Sequence, residues 1–212
     1  MKPFIKMYKI EIFKRVQSKP EILGLKYQEW TDSFIEKKKQ NPKHKHSWVQ
    51  DKVNYHPQFY NALGKLTAYH CSYCDEFPID QRVKQIDHFK PVSDFNHLVY
   101  EWSNLYLSCV GCNFAKKAKY NDLLLRPDAE NYVPSDYFLF DTTTGEILIN
   151  ERKGHDYIER AKITRDIFDL NNPSIVEKRL KAVNNFIRDK KLGENSFDID
   201  NYDYRNFIEE LL

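Results

Sequence analysis

Cys71 and Cys74 form one C-x-x-C pair and Cys109 and Cys112 a second, with 34 residues between Cys74 and Cys109. Two such pairs can place four thiolates around one tetrahedral zinc ion, each pair making a tight knuckle. The chain holds four cysteines, so the frame uses all of them. Reading one pair as a redox motif leaves the other unexplained, and no thioredoxin-like pattern surrounds either. Four thiolates leave no open position for water, which predicts a structural zinc and not a catalytic one. The alternative is two pairs of buried free thiols. His70, next to Cys71, reads as a neighbour of the frame.

The insert between the knuckles carries a second set of chemical groups. It contains Ile86-Asp87-His88-Phe89-Lys90-Pro91 and Trp102-Ser103-Asn104-Leu105, and Asn113 follows the second knuckle at once. A carboxylate and an amide oxygen are hard ligands suited to magnesium or manganese. A neighbouring histidine can take a proton from water. A bound cation would offset the charge that develops on a phosphate and its leaving oxygen. Each residue alone is weak evidence, since a lone His is more often structural and Asn is common in turns. The order carries the signal: knuckle, Ile-Asp-His-Phe-x-Pro, Trp-x-Asn-Leu, knuckle, Asn, Lys.

In this order, Cys71 to Lys119 resembles an HNH endonuclease of the zinc-bearing type with the ββα-metal fold. The resemblance implies His88 as general base, Asp87 and Asn113 as ligands of a catalytic divalent cation (Mg2+ or Mn2+), and Asn104 as the residue that holds the loop and orients His88. Asn113 stands where the family also uses His, and it keeps an oxygen ligand. Lys116 is a candidate phosphate contact, with a solvated face as the alternative. The likeness extends over most of the chain to one subgroup, through Lys9 to Phe34, Tyr100 to Leu105, the Gly145 hairpin and Asp169-Leu170-Asn171. That subgroup is the HNH nuclease subunit of Septu antiphage systems, retron-associated versions included. Asp87 stands where Glu is common there, and Val92 where Lys is common. The subgroup implies a partner ATPase of the ABC/SMC-like class and a role in defence against phage. The competing reading is a zinc-stapled module that binds nucleic acid or protein without catalysis.

The elements around this insert read as mostly helical. Residues 20–39 predict a helix, with Pro20 at its first turn and Ile22, Leu23, Tyr27, Trp30, Phe34 and Ile35 at helical spacing. A polar loop covers 41–46, and a second helix covers about 57–69, with Gly64 arguing against it. Gln85 to Phe89 reads as a strand, Trp102 to Ser108 as a short strand or turn, and Asn113 to Tyr120 as a short helix. A hairpin is expected over 137–149, helices over 155–169 and 174–191, and a last amphipathic helix over 202–212. The expected class is α+β: a zinc-stapled HNH core over 70–120, an N-terminal helical region over 1–69, and a hairpin with helices over 121–212. Because Asp87 and His88 are adjacent on a strand, serving one phosphate requires a bend between them.

Hydrophobic residues make up 41% of the 212 and charged residues 30%, so the chain can fill a core. Apolar runs are only a few residues long, which excludes a membrane-spanning helix, and the first residues lack the pattern of a secretory signal. A cytoplasmic chain with reduced thiols follows as the expectation. The net charge is +2, but residues 1–70 hold 14 Lys/Arg against 6 Asp/Glu. Such a basic third can meet phosphate in DNA, or in RNA, though solvated helix faces explain it as well. Both ends read as docking layers without chemistry, where Tyr202, Phe207 and Leu211 suit either a partner or the body of the same chain.

Overall fold

Pro20 caps the long helix from outside, and the chain enters it directly. The computed structural model describes residues 12–77, 85–192 and 198–212. Residues 1–11, where the basic N-terminal region and the Lys9 segment begin, lie outside the described residues, as does Glu194 of the acidic tail. A short helix α1 (Ile12–Gln17) precedes α2 (Glu21–Gln40), which buries Leu23, Trp30, Thr31 and Phe34 and ends on Lys37, Lys38 and Lys39. Those cations suit the negative end of the helix dipole. The loop after α2 leads into a small hairpin that the residue pattern did not announce. Its strands, β1 (Val49–Gln50) and β2 (Val53–Asn54), are joined by Asp51 and Lys52, both at positive φ. Two positive-φ residues give the turn twist that matches paired strands. Helix α3 (His56–Thr67) follows, burying Phe59, Tyr60 and Leu63. The ring of Tyr69 lies where a Cβ on Gly64 would be, so this glycine makes room rather than breaking the helix.

The strand β3 (Gln85–His88) pairs antiparallel with β4 (Leu105–Ser108), Asp87 opposite Tyr106 and His88 opposite Leu105. All four residues of β4 are buried. Helix α4 (Val110–Lys116) starts three residues before Asn113 and stops at Lys116, because Lys117 turns to φ 49° and ψ −124°. Its start is fixed by Cys109, whose sulfur accepts a hydrogen bond from the Cys112 N–H. The knuckle is thus also the helix cap.

The rest of the chain wraps this unit. Helix α5 (Pro134–Tyr137) leads into a hairpin of β5 (Phe138–Phe140) and β6 (Ile147–Ile149), followed by α6 (His155–Ile167) and α7 (Pro173–Lys191). Asn172 caps α7 by accepting from the Ser174 N–H. The expected helix over 202–212 shrinks to α8 (Arg205–Glu209), since Tyr204 sits in the left-handed region and donates its N–H to the Asp75 carbonyl. One apolar cluster runs from Leu23 through β4 to Phe207. Phe207 packs on Phe140 with ring centroids 5.2 Å apart, Tyr202 on Phe186 at 5.4 Å, and Arg205 pairs with Asp75 at 2.6 Å. Of the two alternatives for this C-terminal layer, it packs on the body of its own chain.

Candidate active site and metal centre

The four cysteine sulfurs lie within 4.8 Å of one another, all buried, and none forms a disulfide. The sulfurs of Cys74 and Cys109 are 3.7 Å apart. A tetrahedron of thiolates at about 2.3 Å from one ion has edges of about 3.8 Å, so the frame fits a single tetrahedral metal. Among the described residues this is the one group of three or more His, Cys, Asp or Glu with such spacing. His70 stands outside it, its ring nitrogens on the carbonyls of Thr67, Ala68 and Tyr202. It ties the knuckle to the C-terminal segment.

His88 closes β3 and is 8% exposed. Its Nε2 lies 2.7 Å from the Val99 carbonyl. A carbonyl only accepts, so Nε2 carries the proton and Nδ1 keeps its lone pair. The indole of Trp48 stacks on the ring, 4° from parallel and 5.7 Å between centroids, and His46 meets its edge at 4.8 Å. Burial, then His46, pushes the imidazole down to about 3. His88 therefore stays neutral at working pH, with a lone pair ready but weakly basic. Burial also lowers His46. The polar loop and the small hairpin thus supply a cover for His88 that the sequence reading missed. The signal available was the spacing of His46 and Trp48 beside a hairpin turn.

Asp87 points the other way. The ladder runs without a break through Asp87 and His88, so their side chains leave opposite faces of the strand. The expected bend between them is absent. The carboxylate of Asp87 accepts from the Tyr73 hydroxyl at 2.7 Å and pairs with the Lys116 ammonium at 3.1 Å. Lys116 also donates to the His88 carbonyl at 2.6 Å. It is fully buried, so it does not lie on a solvated face. Asp87 is raised by burial, against the pull of Lys116 and the Tyr73 hydroxyl. Asn113 lies one turn before Lys116 on the same helix face and donates its amide to the Gln85 side chain. In this arrangement both oxygens of the Asp87 carboxylate are engaged by Tyr73 and Lys116, and the Asn113 amide by Gln85.

Asn104 bonds to the backbone of its own loop and reaches His88 at one remove. Its side-chain oxygen accepts from the Lys90 N–H at 2.8 Å, and its amide donates to the Lys90 and Leu98 carbonyls at 3.0 and 3.2 Å. The next carbonyl, that of Val99, is the one that fixes His88. The turn carrying Asn104 is clamped from α1. Arg15 is buried, donates to the carbonyls of Trp102 and Leu105, and pairs with Asp128 at 3.1 Å. Trp102 returns a hydrogen bond to the Arg15 carbonyl at 2.8 Å. A basic segment read as a docking layer thus contributes a structural clamp.

Residues 71–119 match the family model of the HNH endonucleases. The matched stretch begins at the first knuckle and ends just beyond α4, so this part of the chain is similar to HNH endonucleases. No curated protein matches the chain. No helix among the described residues is long and apolar enough to cross a membrane.

Proposed function

We propose that the chain is an HNH nuclease that hydrolyses phosphodiester bonds, with DNA as the first substrate and RNA as the second. What carries this reading is His88. Within the HNH-matched stretch its ring is held in one tautomer, with Nδ1 left to take a proton. Water attacks phosphorus, Nδ1 receives its proton, and the P–O3′ bond breaks, the leaving 3′-oxygen taking a proton from solvent. An arriving phosphate brings negative charge beside the ring and favours the protonated imidazole, which raises the basicity that burial lowered. Asn104 and the Val99 carbonyl keep the ring in place. Asp87, with Lys116 and Tyr73, locks α4 onto β3. The four thiolates hold a structural zinc.

The wider resemblance to Septu nuclease subunits supports a place in an antiphage complex beside an ABC/SMC-like ATPase, and cytoplasmic action. Two observations favour the second reading, a zinc-stapled binding module: His88 is covered, and Asp87 is paired with Lys116. A cleavage assay on DNA and RNA decides between them. The chain is tested alone and with a co-expressed ATPase, with Mg2+, with Mn2+ and with EDTA. Cleavage that His88→Ala abolishes, with folding and metal content unchanged, supports the nuclease. Nucleic-acid binding with no cleavage in any arm supports the module.

A further inference from the structure

Helix α4 has two different faces. Asn113 and Lys116 turn inward to β3, whereas Val110 and Phe114, one turn apart, are 48% and 70% exposed. Among the described residues the exposed large hydrophobics include two aromatics, Phe114 and Tyr157, and Tyr157 is 38% exposed. Single exposed apolar residues are ordinary. This one is next in sequence to Asn113, and it is set in positive charge. Residues 110–120 hold Lys116, Lys117 and Lys119 and no acid. The Lys117 ammonium lies 4.2 Å from the centre of the Phe114 ring. Lys117 and Lys119 are both exposed. An exposed aromatic ring beside exposed lysines is what single-stranded nucleic acid is held by: bases stack on rings while lysines follow the phosphates.

We infer that Phe114 is a stacking platform for an unpaired nucleobase of the bound strand, with Lys117 and Lys119 on the adjoining phosphates. The inference rests on the nuclease reading and narrows its substrate to nucleic acid with an unstacked base. An acidic protein segment would be drawn to the same lysines, but it has no need of an exposed aromatic ring.

The test uses the full chain and a single-stranded oligonucleotide carrying 2-aminopurine, read by fluorescence quenching and by cleavage. Wild type should quench the probe. Phe114→Trp should bind like wild type, while Phe114→Leu and Phe114→Ala should lose roughly 5- to 150-fold in affinity. The salt dependence of Phe114→Ala should stay as in wild type, and that of Lys117→Ala should flatten by about one phosphate contact. Because Phe114 is exposed, metal content and melting temperature should not move. Wild type that cleaves while Phe114→Ala or Phe114→Leu binds and cleaves equally well overturns the stacking role alone. Wild type that neither binds nor cleaves any nucleic acid overturns the nuclease reading, and the stacking role with it.

Discussion

His88 is held from three sides: by the Val99 carbonyl, the Trp48 face and the His46 edge. Removing a general base typically costs about 10²–10⁴ in rate, so His88→Ala should reduce cleavage by that factor while leaving folding intact. The same burial makes a stability signature. The imidazole sits at about 3 in the folded chain, against about 6.5 when unfolded. Between these values the unfolded chain binds the extra proton, so stability is lost as pH falls below 6.5. From pH 7 to pH 5 the loss attributable to His88 should be about 2 kcal/mol. Urea unfolding of wild type against His88→Gln isolates it, because His46 and the thiolates are common to both; equal losses would count against a buried neutral His88. Lys116 gives the opposite kind of test. Removing one partner of a buried ion pair costs about 3–5 kcal/mol, since the other charge stays buried and unpaired. Lys116→Met should destabilise by that order, and Asp87→Asn in the same chain should recover much of it, read as a coupling energy in a double-mutant cycle.

At the scale of elements, the four-cysteine frame joins the start of the HNH segment to the cap of α4. Metal loss should therefore unfold the helix that carries Asn113 and Lys116. Elemental analysis should return about one zinc per chain, and Cys109→Ala should lower the melting temperature or abolish soluble expression. A metal-free protein with an unchanged melting curve would show that the frame is only a cluster of thiols. The hairpin of β5 and β6 has its own pivot. Gly145 adopts φ +77°, and a Cβ there would stand 2.7 Å from the Val176 carbonyl and 3.0 Å from the Leu180 side chain, both on α7. Strained left-handed backbone costs about 1–3 kcal/mol, so Gly145→Ala should lower the urea midpoint accordingly, with no effect on metal content.

Across the whole molecule, the basic N-terminal third and the acidic remainder are not two separate surfaces. Arg15 is sunk against Asp128 and the β4 turn, and Arg205 against Asp75 and Asp200, so part of the charge of each is spent inside. Helix α8 buries Phe207 and Ile208 in the chain's own core and leaves Glu210 exposed. A partner that docks here would meet Glu210 beside the exposed Leu212. Reversal of Glu209 and Glu210 should weaken co-purification if that face is used, and unchanged recovery of the complex would place the contact elsewhere.

The sequence by itself determined the four-cysteine frame, the Asp-His and Asn-Leu segments between its pairs, and the longer helices. Each of these rests on local information. C-x-x-C spacing is read within four residues, and α2 and α7 repeat apolar residues at 3.6-residue spacing. Asn172 and Pro173 mark where α7 begins. Tertiary structure alone decided which face each site residue uses. The type of Lys116 is visible in the sequence, but whether it meets phosphate or Asp87 depends on α4 lying across β3. His46 and Trp48 cover a histidine forty residues away, and Arg15 clamps a turn nearly ninety residues away. Such contacts leave no local periodicity, because they are set by how separately formed elements pack and by where a buried charge finds its partner.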